Sequence, residues 1–165
     1  MNKEFHWQYR TLEEADYPFL MQRLNAWWGG RAMTDMLPRL FFTYFHHSSF
    51  VCLDGTRIVG FLVGFLPESS PDTGYVHFVG VDPDYRRSTI ARSMYEHFFR
   101  HCRQRGVSRV KCVTSPTNLT SIAFHQRLGF RASAYDGEGQ PIAALDYDGP
   151  GQHRVLFTRA LEAQD

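Results

Sequence analysis

The run Arg86-Arg87-Ser88-Thr89-Ile90-Ala91-Arg92 is the segment best equipped for chemistry. It follows a strand-like stretch ending in Val81-Asp82-Pro83-Asp84-Tyr85 and opens a long amphipathic helix. A strand that turns sharply into a helix leaves backbone N–H groups without intrahelical acceptors, and the helix dipole places partial positive charge among them. Such a turn is an anion site, and the arginines add charge to it. The spacing therefore predicts a phosphate-bearing ligand held at the start of the helix near Ser88. Other constellations fail. His46-His47 are adjacent, so on a helix they point in different directions and make a poor metal pair. There is no Gly-x-Ser-x-Gly elbow and no Gly-Lys-Ser/Thr phosphate loop.

The flanking pattern supplies the elements that must position this turn. Phe5 to Tyr9 reads as a first strand. Thr11-Leu12-Glu13-Glu14 resembles a capping box for a helix running to about Asn25. Trp27-Trp28-Gly29-Gly30-Arg31 breaks it, and Met33, Met36, Leu37, Leu40, Phe41 and Tyr44 recur at helical spacing, with Pro38 as a kink or start. Ser49 to Leu53 and Ile58 to Leu66 read as strands joined by a hairpin at Asp54-Gly55. After a Pro/Ser/Asp/Gly loop, Tyr75 to Val81 is the next strand. Ile90, Met94, Phe98 and Cys102 share one face of the following helix, which ends near Gly106. Val107 to Val113 is strand-like, and Ser115-Pro116-Thr117-Asn118 is a turn. A short helix with Ile122, Phe124 and Leu128 on its apolar side follows, with Gly129 suited to its C-cap. Phe130 to Tyr135 is not one strand, because a polar run begins at Tyr135-Asp136. A long Gly- and Asp-rich connection leads to a last strand, His153 to Arg159. The βαβα order predicts that part of the sheet is parallel.

Composition bounds the rest. The 165 residues suit a single domain over 1–165, with 43% hydrophobic, 21% charged and a high 15% aromatic content. A net charge of +1 without a basic block argues against a nucleic-acid binder. No apolar run is long enough to span a membrane, and Met1-Asn2-Lys3-Glu4-Phe5-His6 lacks the apolar segment of a signal peptide. Cys52, Cys102 and Cys112 have neither metal nor redox spacing, so buried, reduced thiols and a cytosolic location are expected.

Taken together, Tyr75 to Phe130 resembles the GNAT superfamily of acyl-CoA-dependent N-acyltransferases. The family's pyrophosphate motif, Gln/Arg-x-x-Gly-x-Gly/Ala, reads here Arg86-Arg87-Ser88-Thr89-Ile90-Ala91. Arg86 and Ala91 match, and Thr89 replaces the central Gly. Asn118, Ala123, Phe124, His125 and Leu128-Gly129-Phe130 match the closing helix. The resemblance implies a mixed, mostly antiparallel α/β sheet with a splayed parallel strand pair, flanked by helices. It implies acetyl-CoA as acyl-donor substrate and no metal. Pantetheine would pair with backbone of Phe78, Val79, Gly80 and Val81, and the pyrophosphate would sit on amides of Arg87, Ser88, Thr89, Ile90, Ala91 and Arg92. Arg86, Asn118 and His125 complete the implied cofactor site.

The implied activity is acetyl transfer to a primary amine of a small molecule, by direct transfer in a ternary complex. The Val79 N–H is the implied oxyanion donor. His125 stands where many members place a Tyr general acid; a packing or cofactor-bonding histidine is the competing reading. His77 lies on the strand that often supplies a base, and alternation puts it on one side with Tyr75 and Val79. A half-buried polar residue is the plainer reading of His77. The acceptor region is expected from Trp27 to Arg31, the Tyr75 end of its strand and Tyr135 to Gly151. Trp27 and Trp28 are either a ring wall for an amine or, for at least one, core. Asp136, Glu138, Asp146 and Asp148 are by default a solvated acidic loop, and Tyr147 is a candidate hydroxyl. The alternatives are an acyl-CoA-binding sensor, motivated by Thr89 and the missing Tyr, and a protein lysine or N-terminal acetyltransferase. A homodimer is compatible with any of them.

Overall fold

The computed structural model describes residues 7–162. The chain forms β1 Gln8–Thr11, α1 Tyr17–Trp27, α2 Leu40–Tyr44, β2 Phe50–Asp54, β3 Arg57–Phe65, β4 Thr73–Val81, α3 Ile90–Arg103, β5 Arg109–Thr114, α4 Leu119–Arg127, β6 Arg131–Ala132 and β7 Val155–Ala160. The seven strands make one mixed sheet in the order β1-β2-β3-β4-β5-β7-β6. Its parallel ladder, β4 with β5, consists of three pairs, Thr73↔Arg109, Gly74↔Val110 and Tyr75↔Lys111, which is the short parallel pairing expected. Among the described residues no helix is long and apolar enough to cross a membrane.

The chain divides into two compact units, residues 1–65 with 76–101, and 66–75 with 102–165. In the first, Leu20, Leu24 and Trp27 of α1 bury against Phe42, Val51, Phe61 and Val63. On α3, Ile90, Met94 and Phe98 are fully buried, each stabilising the fold by roughly 1.5–3 kcal/mol. They lie against bare backbone. A Cβ at Gly60 would stand 2.9 Å from Ile90, and one at Gly64 only 2.6 Å from Phe98, so these two glycines set how closely α3 approaches β3. In the second unit β5 pairs antiparallel with β7 along its whole length, from Arg109↔Ala160 to Thr114↔Val155. Val110, Cys112, Val155 and Phe157 carry its core.

Several sequence expectations need correction. The predicted first strand begins within residues 1–6, outside the described ones, and β1 runs on through Thr11. The cap of the first helical segment is therefore not Thr11 with Glu14. It is Glu13 with Asp16, whose carboxylate accepts from the Glu13 amide at 2.8 Å and pairs with Arg10. The second helix is broken: a single 3-10 turn over Thr34–Met36 precedes α2, with Pro38 between them. Proline has no N–H to continue the first turn's ladder. His46 and His47 sit in a 3-10 turn with rings 4.3 Å apart, rather than diverging. As expected, Phe130 to Tyr135 is not one strand, and the segment after α4 pairs only over Arg131–Ala132.

Candidate active site

The turn between β4 and α3 is built from Asp82 outward. Asp82 is 3% exposed. One carboxylate oxygen accepts from the Asp84 amide at 3.1 Å, capping a 3-10 turn over Pro83–Tyr85, and the other takes the Arg57 guanidinium at 2.6 Å. Tyr85 donates its hydroxyl to Asp54 at 2.7 Å. The two ends of the β2–β3 hairpin turn thus brace the segment from behind. Arg86 donates to the carbonyls of Val81 and Trp27, so its guanidinium stitches the turn to the end of α1. Ser88 donates to Tyr85 O at 2.6 Å.

Past this brace the chain presents donors. Ser93 N already bonds Thr89 O at 2.9 Å, the first α-type bond of α3. The Ile90 amide approaches Ser88 Oγ at 3.4 Å, whereas the Ala91 and Arg92 amides have no acceptor among the described residues. Beside this helix start lies an open cavity of about 550 Å³ lined by Trp7, Asp84 and Tyr85 to Thr89. That volume is in the range of small-ligand sites. The only non-glycine in this turn with a left-handed backbone is Arg87, at φ 61°. Such a conformation costs an arginine about 1–2 kcal/mol, and strain of this kind concentrates at binding turns. Thr89 has no left-handed φ, so its place in the motif asks nothing of glycine's backbone freedom, and its side chain is exposed. Thr89→Gly is therefore expected to change acetyl-CoA affinity by less than about threefold, measured by calorimetry. A tenfold gain would mean that the threonine side chain crowds the ligand.

Along β4, Phe78 stacks toward Phe61 and Trp28, at 5.8 and 5.0 Å between rings. A Cβ at Gly80 would meet the same two side chains at 2.5 and 2.7 Å. Trp27 is core, at 5% exposure, and Trp28 is half-buried against it. His77 packs against α2. Its ring lies 4.2 Å from Phe41, nearly parallel, and Phe41 and Phe78 pack on one and the same cluster. His77 Nε2 is 2.6 Å from the Met36 carbonyl, an acceptor, so Nε2 carries the proton and Nδ1 the lone pair of the neutral ring. Burial lowers the His77 pKa, only partly opposed by that carbonyl, which leaves the ring neutral at pH 7.

In the second unit Asn118 caps α4, accepting from Ser121 N at 3.1 Å. His125, 8% exposed, stacks on Phe157 and meets the edges of Phe124 and Phe130. Its Nδ1 donates to Ser121 O at 2.7 Å, and Ser121 Oγ, itself bonded to Thr114, lies 3.2 Å away. Burial lowers its pKa as well. A neutral ring with its proton committed to a carbonyl donates to a thiolate only after taking up a second proton.

Tyr147 is 52% exposed in a turn. Tyr75 is half-buried in the same unit, and its phenol is pushed up to about 12, mainly by burial and then by the neighbouring Tyr147, Cys112 and Asp148. The acidic connection is solvated, with Asp136, Glu138, Asp146 and Asp148 all exposed, and its turns are held by hydrogen bonds. Asp136 closes a turn by accepting from the Glu138 and Gln140 amides, Asp146 accepts from the Gly151 amide, and Asp148 pairs with Arg154 at 2.7 Å. Two of its four carboxylates are thus engaged within the segment itself, and a third by Arg154 just beyond it.

Comparison with known proteins agrees with this geometry. Residues 4–130 match the model of the acetyltransferase (GNAT) family. The L-2,4-diaminobutyric acid acetyltransferase of Streptomyces coelicolor is 33% identical over 119 residues, covering 68% of each chain. Other curated relatives are matched over 28–45% of their own length. Among solved structures, a diaminobutyrate acetyltransferase from Paenibacillus lautus in complex with its substrate and coenzyme A superposes with a TM-score of 0.67 at 21% identity, covering 98% of both chains. The ribosomal-protein alanine N-acetyltransferase of Escherichia coli gives 0.67 at 19% identity over 96% of both. A mixed sheet with one parallel pair, flanked by helices, is the arrangement these comparisons share. The chain belongs to the GNAT acetyltransferase family.

Proposed function

We propose that the protein transfers an acetyl group from acetyl-CoA to the primary amine of a small molecule, by direct attack in a ternary complex. The observation that carries the acetyl-CoA half is the braced turn at Asp82–Arg92, whose first-turn amides of α3 open beside a cavity of about 550 Å³. Amides of Arg87 to Arg92 would take the pyrophosphate, and Phe78 to Val81 would pair with pantetheine. Arg86 adds charge while its hydrogen bonds hold the turn. Asn118 and His125 are retained as cofactor contacts, and Tyr147 as a hydroxyl toward the acceptor. The small-molecule half rests on the relative that acetylates diaminobutyric acid.

In the reaction the amine nitrogen attacks the thioester carbonyl, the Val79 N–H stabilises the oxyanion, and the C–S bond breaks to release CoA. His77 receives the amine's proton on Nδ1, directly or through water. With its lowered pKa it is a relay that passes the proton to solvent, not a store for it. Reduced, buried thiols and an acetyl-CoA substrate favour the cytosol.

The test is thermal unfolding with acetyl-CoA and with CoA, followed by CoA release against short diamines, diamino acids and peptides with free N-termini. A ligand at a hundred times its Kd adds about 2.7 kcal/mol, roughly 5–11 °C here. A shift with turnover on a diamine or diamino acid supports the proposal. Turnover on peptides alone would make the protein a protein acetyltransferase. A shift without turnover on any amine would make it a sensor, and no shift at millimolar ligand would remove the acetyl-CoA reading.

A further inference from the structure

The second unit contains an open cavity of about 390 Å³ lined by Arg103, Gly129, Arg131, Thr158, Arg159 and Glu162. It lies at the end of α4 away from Asn118. Arginines from three elements line it: Arg103 in the last turn of α3, Arg131 in β6 and Arg159 in β7. Gly129 lies beside one of them. It ends α4 with φ 87°, and a Cβ there would stand 3.7 Å from Arg159 Nε. Arg131 pairs directly across the sheet with Thr158, so the two side chains share a face.

Arg103 and Arg131 stand apart from the ion-paired arginines of the chain. Arg10, Arg39, Arg57, Arg109 and Arg154 each face a carboxylate at ion-pair distance. Among the described residues Arg103 and Arg131 do not. The lining carboxylate belongs to Glu162, yet it is the Glu162 backbone carbonyl that accepts from Arg103 Nε, at 3.1 Å. Arg159 is explained by the negative end of α4 beside it. That dipole acts within one turn and does not account for Arg103 and Arg131. Like charges lining one cavity favour an anion there, and guanidinium forks match the paired oxygens of phosphate.

We propose that this cavity is a second anion site, for a phosphate-bearing small molecule, separate from the turn at Arg86–Arg92. It does not depend on the acetyl-CoA reading. The test is amide NMR on the full chain titrated with inorganic pyrophosphate at constant ionic strength, with chloride as the control. Saturable shifts at Gly129, Arg131 and Thr158 are expected, with a Kd separate from that of any shifts at Ser88 to Arg92. The double variant Arg103→Gln/Arg131→Gln should weaken the first set by about tenfold or more and leave the second unchanged, which also reports that the variant is folded. Shifts confined to Ser88 to Arg92, or shifts at Gly129 equal in parent and double variant, would overturn the proposal.

Discussion

Asp82→Ala is expected to weaken acetyl-CoA binding by about tenfold or more and to lower the melting temperature by several degrees. The carboxylate does two jobs from a buried position: it caps the turn through the Asp84 amide and anchors Arg57 of the hairpin. Alanine leaves that amide without its cap, a loss of about 1–3 kcal/mol for a group this buried. The segment from Pro83 to Thr89 then gains freedom that any anion must remove on binding, so the penalty appears in affinity as well as in stability. Asp82→Asn separates the two roles. It keeps an acceptor for Asp84 N and gives up the charge facing Arg57, which is half exposed and contributes less. Affinity near that of the parent in Asn and lost in Ala is the expected calorimetric result. An Ala variant that binds like the parent would show that the turn holds its shape without the brace.

The brace itself was not legible in the sequence, and the reason is physical. Its partners, Asp54 with Tyr85 and Arg57 with Asp82, are separated by 31 and 25 positions, and no local periodicity links a hairpin turn to a later strand end. Gly60 and Gly64 were equally silent: their role is the space they leave for Ile90 and Phe98 of α3. Readable features were those with local physics. The stripe Ile90, Met94, Phe98 and Cys102 is buried as its spacing predicts, and the hairpin turns at Gly55 with φ 60°. Where local rules competed, the sequence misled. Thr11 has the chemistry of a cap, but it is also β-branched, and its strand partner Phe50 claimed it for β1. Thr89 stands where the family motif has a glycine, and its φ is not left-handed. The left-handed residue is in fact Arg87, a conformation that residue type alone does not announce.

His125→Phe is expected to keep most of the parent's turnover and the shape of its pH profile, whereas His125→Ala should cost about 2–4 kcal/mol of stability by leaving a cavity among Phe124, Phe130 and Phe157. Phenylalanine fills the same stacked slot. The Ser121 carbonyl that loses the Nδ1 proton remains in the helix, where the residue four positions on supplies its backbone bond. The pH dependence of folding gives an independent reading. Burial holds the folded pKa of His125 below the ordinary imidazole value of about 6.5, so the unfolded chain takes up the proton first as pH falls. The stability carried by the neutral ring is complete above 6.5 and is lost as the pH drops from there toward the folded pKa. His77 acts in the same direction. Melting temperature should therefore fall between pH 7 and pH 5, and less steeply in His125→Phe, which removes one of three such contributions, the third being that of His97. If Phe instead abolishes kcat in a protein that melts like the parent, the buried imidazole is a proton donor in catalysis, and its second proton must arrive with the bound substrates.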